Sequence, residues 1–571
     1  MAKKKKTLSQ GEAAKIKLAR DQTNEVRSIF KNCGFLRVHG VSNHEITFEG
    51  TTSEFDDIYL FENIIVVCEL TTQKEDLSGH VKKKKVVYDK INADPGIFVQ
   101  FLEGEFPDFN KKKDPFYNNQ QMKVAILYCS LHPISEDVKN DVPGVRFLDF
   151  NISKYFKAVS DRIKRSARYE LLAFLKISHD QVGRSIVSPA AGSSATYKGS
   201  ILPEGQSYFP NGYKVVSFYV DPAAMLKRCY VLRKDGWNED AGLYQRMIRA
   251  SKIKAIRAYL LSKKRVFVNN IIVTMPDSSK LADDKGNTID PAKITKTEPV
   301  NIQLPYGYNT IGLIDGQHRI FSYYEGGNDE AAIASLRAQQ NLLVTGIIYP
   351  SGIGASERAQ FEARLFLEIN STQTNAKSDL KQAIGLLLEP YSQESIARRV
   401  VDRLNQAAPL RDEFEKYFFD KGKIKITSVV SYGVRPIVRF SGDDTFFKAW
   451  THADKDKLLQ AQGGGSANQE LLDEYIKYCV TNISVFVGAV KANCEPERWT
   501  ADKKVKGRLL TTTIINGMIV CLRHLIENGK LADFAVYNVA LKEIKSFEFS
   551  KYKSSQYGSL GESMFKKYFA S

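Results

Sequence analysis
The chain has 571 residues, 43% hydrophobic and 26% charged, with a net charge of +17. That is too long for one ordinary core, so roughly two to four domains are expected, and the balance excludes a disordered or fibrous chain. The basic surplus points to a polyanionic partner, nucleic acid first. The cysteines stand at 33, 68, 129, 229, 479, 494 and 521, with no Cys-x-x-Cys pair and no His beside them. This argues against structural zinc and a disulfide framework and fits a reducing cytoplasm. Lys3 to Lys6 form a charged start with no apolar signal core behind them, so secretion is not expected. The most apolar helical stretch, Leu509 to Ile526, carries three Thr, an Asn and Arg523. It reads as a core helix, so no membrane partner is expected.

In chain order, Ser9 to Phe30 has a helical period with Ala13, Ile16, Leu18, Val26 and Ile29 on one face. Ser53 to Thr71 reads as two β-rich runs meeting at a Glu62-Asn63 turn. Glu69 is the anomaly, a carboxylate inside Val66-Val67-Cys68-Glu69-Leu70. Such a group is costly unless paired, hydrogen-bonded or bound to a metal. An Asp and a Glu on adjacent strands can converge on one Mg²⁺. His80 to Ile91 reads as a basic helix containing Lys82, Lys83, Lys84 and Lys85, and Val124 to Tyr128 and Val145 to Phe150 as strands.

This order of helix, hairpin with acids, and helix resembles the PD-(D/E)xK nuclease fold. The resemblance implies Glu25 as the helix acid, Asp56 or Asp57 as the hairpin acid and Glu69 as the second, with Mg²⁺ as cofactor. Thr71 stands where that pattern has Lys. Lys74 or a lysine of the 82–85 run is the expected replacement; without one, the site is weak or inactive. The competing reading is a nuclease-like fold that does not cut.

Asp161 to Ser178 reads as a helix with three Arg, and residues 186–212, rich in Ser, Gly, Pro and Ala, as a linker or long loop. Tyr213 to Val220 is an expected strand. The helix around Lys252, Lys254 and Arg257, followed by Lys263, Lys264 and Arg265, has a basic face suited to DNA phosphates. Phe267 to Val273 is an expected strand and Ser278 to Pro299 a surface hairpin or loop.

Ile311-Gly312-Leu313-Ile314-Asp315-Gly316-Gln317-His318-Arg319-Ile320-Phe321 reads as a buried strand turning at Gly316 into a helix. Backbone N–H groups after Gly316, with His318 and Arg319, suit a phosphate; the competing reading is a polar helix cap. Further on, Ser356 to Ile369 reads as a helix ending in Glu368, Asn370, Thr372 and Gln373.

The string Asp-Gly-Gln-His-Arg resembles the signature of the DGQHR-domain family, which includes the DndB-type proteins of bacterial DNA phosphorothioation systems and resembles the ParB/sulfiredoxin-like fold. The likeness spans roughly residues 210–385 and includes Gln245-Arg246, Phe267-Val268-Asn269-Asn270-Ile271-Ile272 and Ile369-Asn370. It implies that Gly316, Gln317, His318, Arg319, Asn370, Thr372 and Gln373 hold ATP or another NTP. It also implies that Glu368 holds its Mg²⁺ and that Asp315 orients a water or a metal.

The expected architecture is an α/β (α+β) multidomain chain. It comprises a restriction-endonuclease-like domain at 1–158, a helix and linker at 159–212, a ParB/sulfiredoxin-like domain at 213–390 and a helical domain at 391–571. The expected function is DNA and nucleotide binding, with ATP hydrolysis, as regulator or effector in a DNA-modification or anti-phage system. Partner proteins of such a system and self-association are compatible with it. The alternatives are a metal-dependent nuclease and a non-enzymatic repressor or scaffold.

Overall fold
The computed structural model describes residues 9–74, 77–186, 196–234, 236–237, 245–373 and 378–570, without the side chains of 185, 292, 371–373 and 378. The chain is a mixed α/β multidomain protein folded as two compact units. The first holds the described residues up to Glu362 and the second those from Ala363 onward.

The first unit opens with α1 (Gln10–Cys33), capped by a reciprocal Ser9–Glu12 box. A five-stranded sheet follows, built from β1 (Leu36–Val38), β4 (Asp57–Phe61), β5 (Ile64–Thr71), β6 (Lys123–Ser130) and β7 (Val145–Leu148), in that spatial order. A small hairpin, β2 (Glu45–Phe48) with β3 (Thr51–Glu54), stands apart. β1, β4 and β5 pair antiparallel, whereas β6 and β7 continue parallel to β5. The β4–β5 turn is at Glu62-Asn63, with Glu62 at positive φ.

Two-residue alternation sends Ile64, Val66 and Cys68 into one core with Val26, Ile29 and Phe30 of α1. Ile65 and Val67 enter a second core with Val81, Val87, Tyr88 and Ile91 of α2 (Leu77–Ala93). The helix expected from Asp161 instead begins earlier, as α3 (Phe150–Ile163) with Asp149 as N-cap. It breaks at Lys164, whose φ is +46°, and resumes at Arg168–Phe174. α3 packs on α1, so the expected boundary at 158 cuts a helix of this core.

The second sheet has eight strands, in the order β10-β14-β11-β15-β9-β8-β13-β12. These are β8 (Thr196–Leu202), β9 (Lys214–Val220), β10 (Cys229–Tyr230), β11 (Ile271–Met275), β12 (Lys280–Ala282), β13 (Glu298–Gln303), β14 (Ile311–Asp315) and β15 (Leu342–Ile348). The sheet is mixed, with parallel pairs only at β10–β14 and β11–β15. β8 overturns the reading of 186–212 as linker throughout: within it, 196–202 pair with β9 and β13. The Ser-Pro-Ala-Ala-Gly-Ser-Ser stretch lies outside the described residues. α4 (Ala250–Lys263) precedes β11, and α5 (Gln317–Phe321) follows β14 directly.

α6 (Ala355–Gln373) runs one turn beyond the expected end at Ile369. The second unit is helical. Its core is built around α7 (Gln393–Leu404), α8 (Gln469–Ala492) and α9 (Thr512–Glu527), which bury Val400, Tyr475, Ile483, Met518 and Leu522. Among the described residues no helix is long and apolar enough to cross a membrane. All seven cysteines are reduced and buried.

Candidate functional site
The strongest concentration of chemistry in the first sheet is at the C-terminal end of β5. Glu69 is 5% exposed and on the α2 face. Asp56 precedes β4, donates its N–H to Cys68 O and accepts the N–H of Leu70 on Oδ2 at 2.6 Å. Lys84, two turns into α2, places Nζ 3.0 Å from Glu69 Oε2 and donates to Glu54 O at 2.7 Å. The contact with Oε2 is ionic but off-line: that buried oxygen has no hydrogen-bond partner. Burial pushes Glu69 up to about 7 even though Lys84 opposes the shift, and Asp56 adds to it. Burial likewise raises Asp56, against the Leu70 N–H. His80 stands near the group, with Nε2 3.7 Å from Glu69 Oε1 and Nδ1 2.7 Å from Tyr128 Oη.

The two hairpin acids therefore separate. Asp57 pairs in register with Cys68 and so projects to the α1 face, away from Glu69. There it is fully buried and held by Arg27 at 2.8 Å, Arg37, Ser42 and Tyr59. The structure therefore does not bring Asp57 together with Glu69. Glu25 is not brought to Glu69 either: α1 lies on that same opposite face, and Glu25 accepts from Ser153 Oγ at 2.8 Å and pairs with Lys154 of α3. The α1 residue that does reach the strand ends is Gln22, which donates to Thr71 O at 3.1 Å and Cys129 O at 3.2 Å.

A divalent cation fits Asp56 and Glu69 on two grounds. Two carboxylates sharing a sheet face are hard oxygen donors, and Glu69 Oε2 is held by the Lys84 ion pair without a well-aligned hydrogen bond. Among the described residues no set of three His, Cys, Asp or Glu stands at metal-holding spacing.

At the signature, Gly316 takes φ +105° to turn the chain from β14 into α5. The N–H groups of Arg319 and Ile320 already donate to Gly316 O, which removes two of the donors expected to face an anion. Arg319 Nη2 is shared between Asp315 Oδ2 and Asn270 O, each at 2.8 Å. Asp315 is thus an ion-pair partner first. His318 Nε2 accepts the backbone N–H of Arg249 at 3.1 Å, which leaves the ring proton on Nδ1. Burial, then Lys252, Arg249 and Arg233, hold His318 down at about 4, so it is neutral at pH 7 and sits in a positive potential. Gln317 Nε2 donates to Arg246 O at 3.4 Å.

Glu368 and Asn370 lie on α6 in the second unit. Glu368 is exposed, and Asn370 Nδ2 donates to Phe366 O one turn back at 2.8 Å. The side chains of Thr372 and Gln373 lie outside the described residues. The residue of α6 that does turn inward is Glu362. It is 1% exposed and accepts from Tyr230 Oη, Thr274 Oγ1 and Tyr349 Oη at 2.8, 2.6 and 2.7 Å.

Of the expected DNA contacts, Lys252, Lys254, Lys263, Lys264 and Arg265 are exposed, as is Lys83. Lys82 and Lys85 are surface residues paired with Asp141 and Asp89, and Lys84 points into the carboxylate cluster. Arg257 is corrected: it is 4% exposed, chelates Asp329 through two 2.7 Å bonds and caps Ser322 O and Tyr324 O. Comparison of the chain with family models, curated proteins and solved structures finds no match.

Proposed function
We propose that this is a DNA-acting protein whose N-terminal, restriction-endonuclease-like region cleaves phosphodiester bonds with a divalent cation held by Asp56 and Glu69. The observation that carries the reading is the position of Lys84. It brings an ammonium to Glu69 from the following helix, supplying the charge that Thr71 cannot. When bound, the cation supplies Lewis-acid stabilisation to phosphoryl oxygens. Asp56 and Glu69 hold it, and Lys84 orients the attacking water or offsets charge developing on the phosphate. The exposed lysines of α4 and Arg265 give DNA a salt-sensitive track. Supercoiled plasmid with Mn²⁺ tests this: wild type should nick it and Glu69→Ala should not. Equal nicking by both would reject the assignment.

A second reading is favoured by the neutral His318 among Arg249, Lys252 and Arg233. In it, the ParB/sulfiredoxin-like central region binds the polyphosphate of ATP or another NTP beside the signature and hydrolyses it, in a chain that regulates or executes a DNA-modification or anti-phage response. Arg249 enters this site although the sequence reading passed over it. Calorimetry with ATP should show binding that Arg249→Ala weakens by about 10-fold, the usual worth of one charge-assisted phosphate contact. No binding by wild type at millimolar ATP would reduce the signature to a helix cap.

A further inference from the structure
At the open edge of the first sheet, beside β7, lies a cavity of about 450 Å³ that belongs to neither site above. One wall is aromatic: Trp237 and Phe174 meet edge to face with centroids 5.6 Å apart. Trp237 is half-buried and anchored by its Nε1, which donates to Glu170 Oε1 at 3.3 Å, so the plane of the indole is held. The rest of the rim is cationic. Among the described residues Lys139, Arg146 and Lys176 line it with one acid, Glu136, which pairs with Lys139 at 2.7 Å. Arg146 is fixed in place: Nε donates to Phe174 O at 2.7 Å and the guanidinium stands 5.0 Å from the Phe174 ring centroid. Among the described residues Lys176 pairs with no carboxylate, and it is exposed at the mouth. Asn140 adds an amide with both donor and acceptor atoms.

From this combination we infer that the cavity binds a nucleoside monophosphate unit, with the base against Trp237 and the phosphate toward Lys176 and Arg146. An aromatic wall alone would accept any flat hydrophobe, and cations alone any anion. The two in one cavity select an anion that carries a planar ring. The volume is in the range of small-ligand pockets, and stacking on an aromatic face tolerates every base. The unit has two sources, a free nucleotide or an unstacked nucleotide of a single strand. The inference needs neither the cleavage site nor the signature loop. Glu69 stands two strands away, roughly 10 Å at ordinary strand spacing.

The test is tryptophan fluorescence of the full chain in EDTA, titrated with adenosine 5′-monophosphate and, separately, with a five-nucleotide single-stranded DNA. Saturable quenching is expected with at least one probe. It should be lost in Trp237→Phe and weakened about 10-fold in Lys176→Glu. Lys176 is exposed, so its substitution tests the site even if Trp237→Phe folds poorly. Tighter binding of the monophosphate identifies a free nucleotide, and tighter binding of the oligonucleotide identifies a strand. Absence of quenching by both probes, or quenching indifferent to Lys176→Glu, overturns the inference. Because no divalent cation is present, failure here leaves the cleavage reading standing, and the reverse also holds.

Discussion

Lys84→Met should lower Mn²⁺-dependent plasmid cleavage by about 10²–10³-fold, the usual cost of removing one preorganised charge from a transition state. The side chain is 12% exposed, and its ammonium lies 3.0 Å from Glu69 Oε2. Methionine keeps much of the stem's packing while deleting the charge, and because Glu69 loses its ionic partner the rate is read beside the urea midpoint of the same variant. A rescue makes the prediction specific. Thr71 is two residues beyond Glu69 on the same strand face and 6% exposed. In the Lys84→Met background, Thr71→Lys should recover roughly 10-fold of the activity by returning a cation to the cluster from the strand. In the wild-type background the same substitution should bring no gain, because Lys84 already supplies that charge. Rescue in neither background, with Lys84→Met fully active, would separate Lys84 from the chemistry.

Asp57→Asn should destabilise the first unit by about 3 kcal/mol, since removing the charge from a buried pair leaves its partners uncompensated. Asp57 is fully buried and takes hydrogen bonds from Arg27, Arg37 and Tyr59. Both arginines are about a third exposed, which places the cost at the lower end for a buried cluster. Asp56→Asn, one residue away, should abolish cleavage and cost far less stability, because it breaks no arginine pair. Urea denaturation followed by near-ultraviolet circular dichroism distinguishes them. Comparable midpoints for the two variants would contradict the division of labour between the neighbouring acids.

That division shows where the sequence is legible and where it stops. Glu69 announces itself, because a carboxylate amid Val66, Val67 and Cys68 demands a partner. The hairpin around it was readable for the same reason: β-branched runs meeting at Glu62-Asn63. Asp56 and Asp57 cannot be told apart by composition. Their roles follow from register, which sets Asp57 opposite Cys68 and so on the α1 face. In α2, four consecutive lysines carry no periodicity, and only the docking of the helix selects Lys84. Glu25 and Gln22 are one turn apart on α1, and the packing of α3 draws Glu25 away.

Elsewhere, β8 hides in a Ser- and Gly-rich stretch because its strand character comes from distant partners. Gly199 lies so close to β9 that a Cβ there would stand 2.3 Å from Ser217 O. Arg257 looks like one of several cations on a basic helix face. Its partner Asp329 is 72 residues away, so nothing local distinguishes it from Lys254. The signature loop was placed correctly on a strand-to-helix turn. The engagement of Arg319 with Asp315 and Asn270 depends on β11 lying beside β14.

The central claim is that Asp56 and Glu69 act together as ligands for one divalent cation on the α2 face of the sheet. Electron paramagnetic resonance of Mn²⁺ titrated into the full chain tests it without requiring a DNA substrate. The account predicts a bound ion in wild type that is lost in both Glu69→Ala and Asp56→Asn and retained in Glu25→Gln. Bound Mn²⁺ that survives Glu69→Ala, or that disappears in Glu25→Gln, would contradict it.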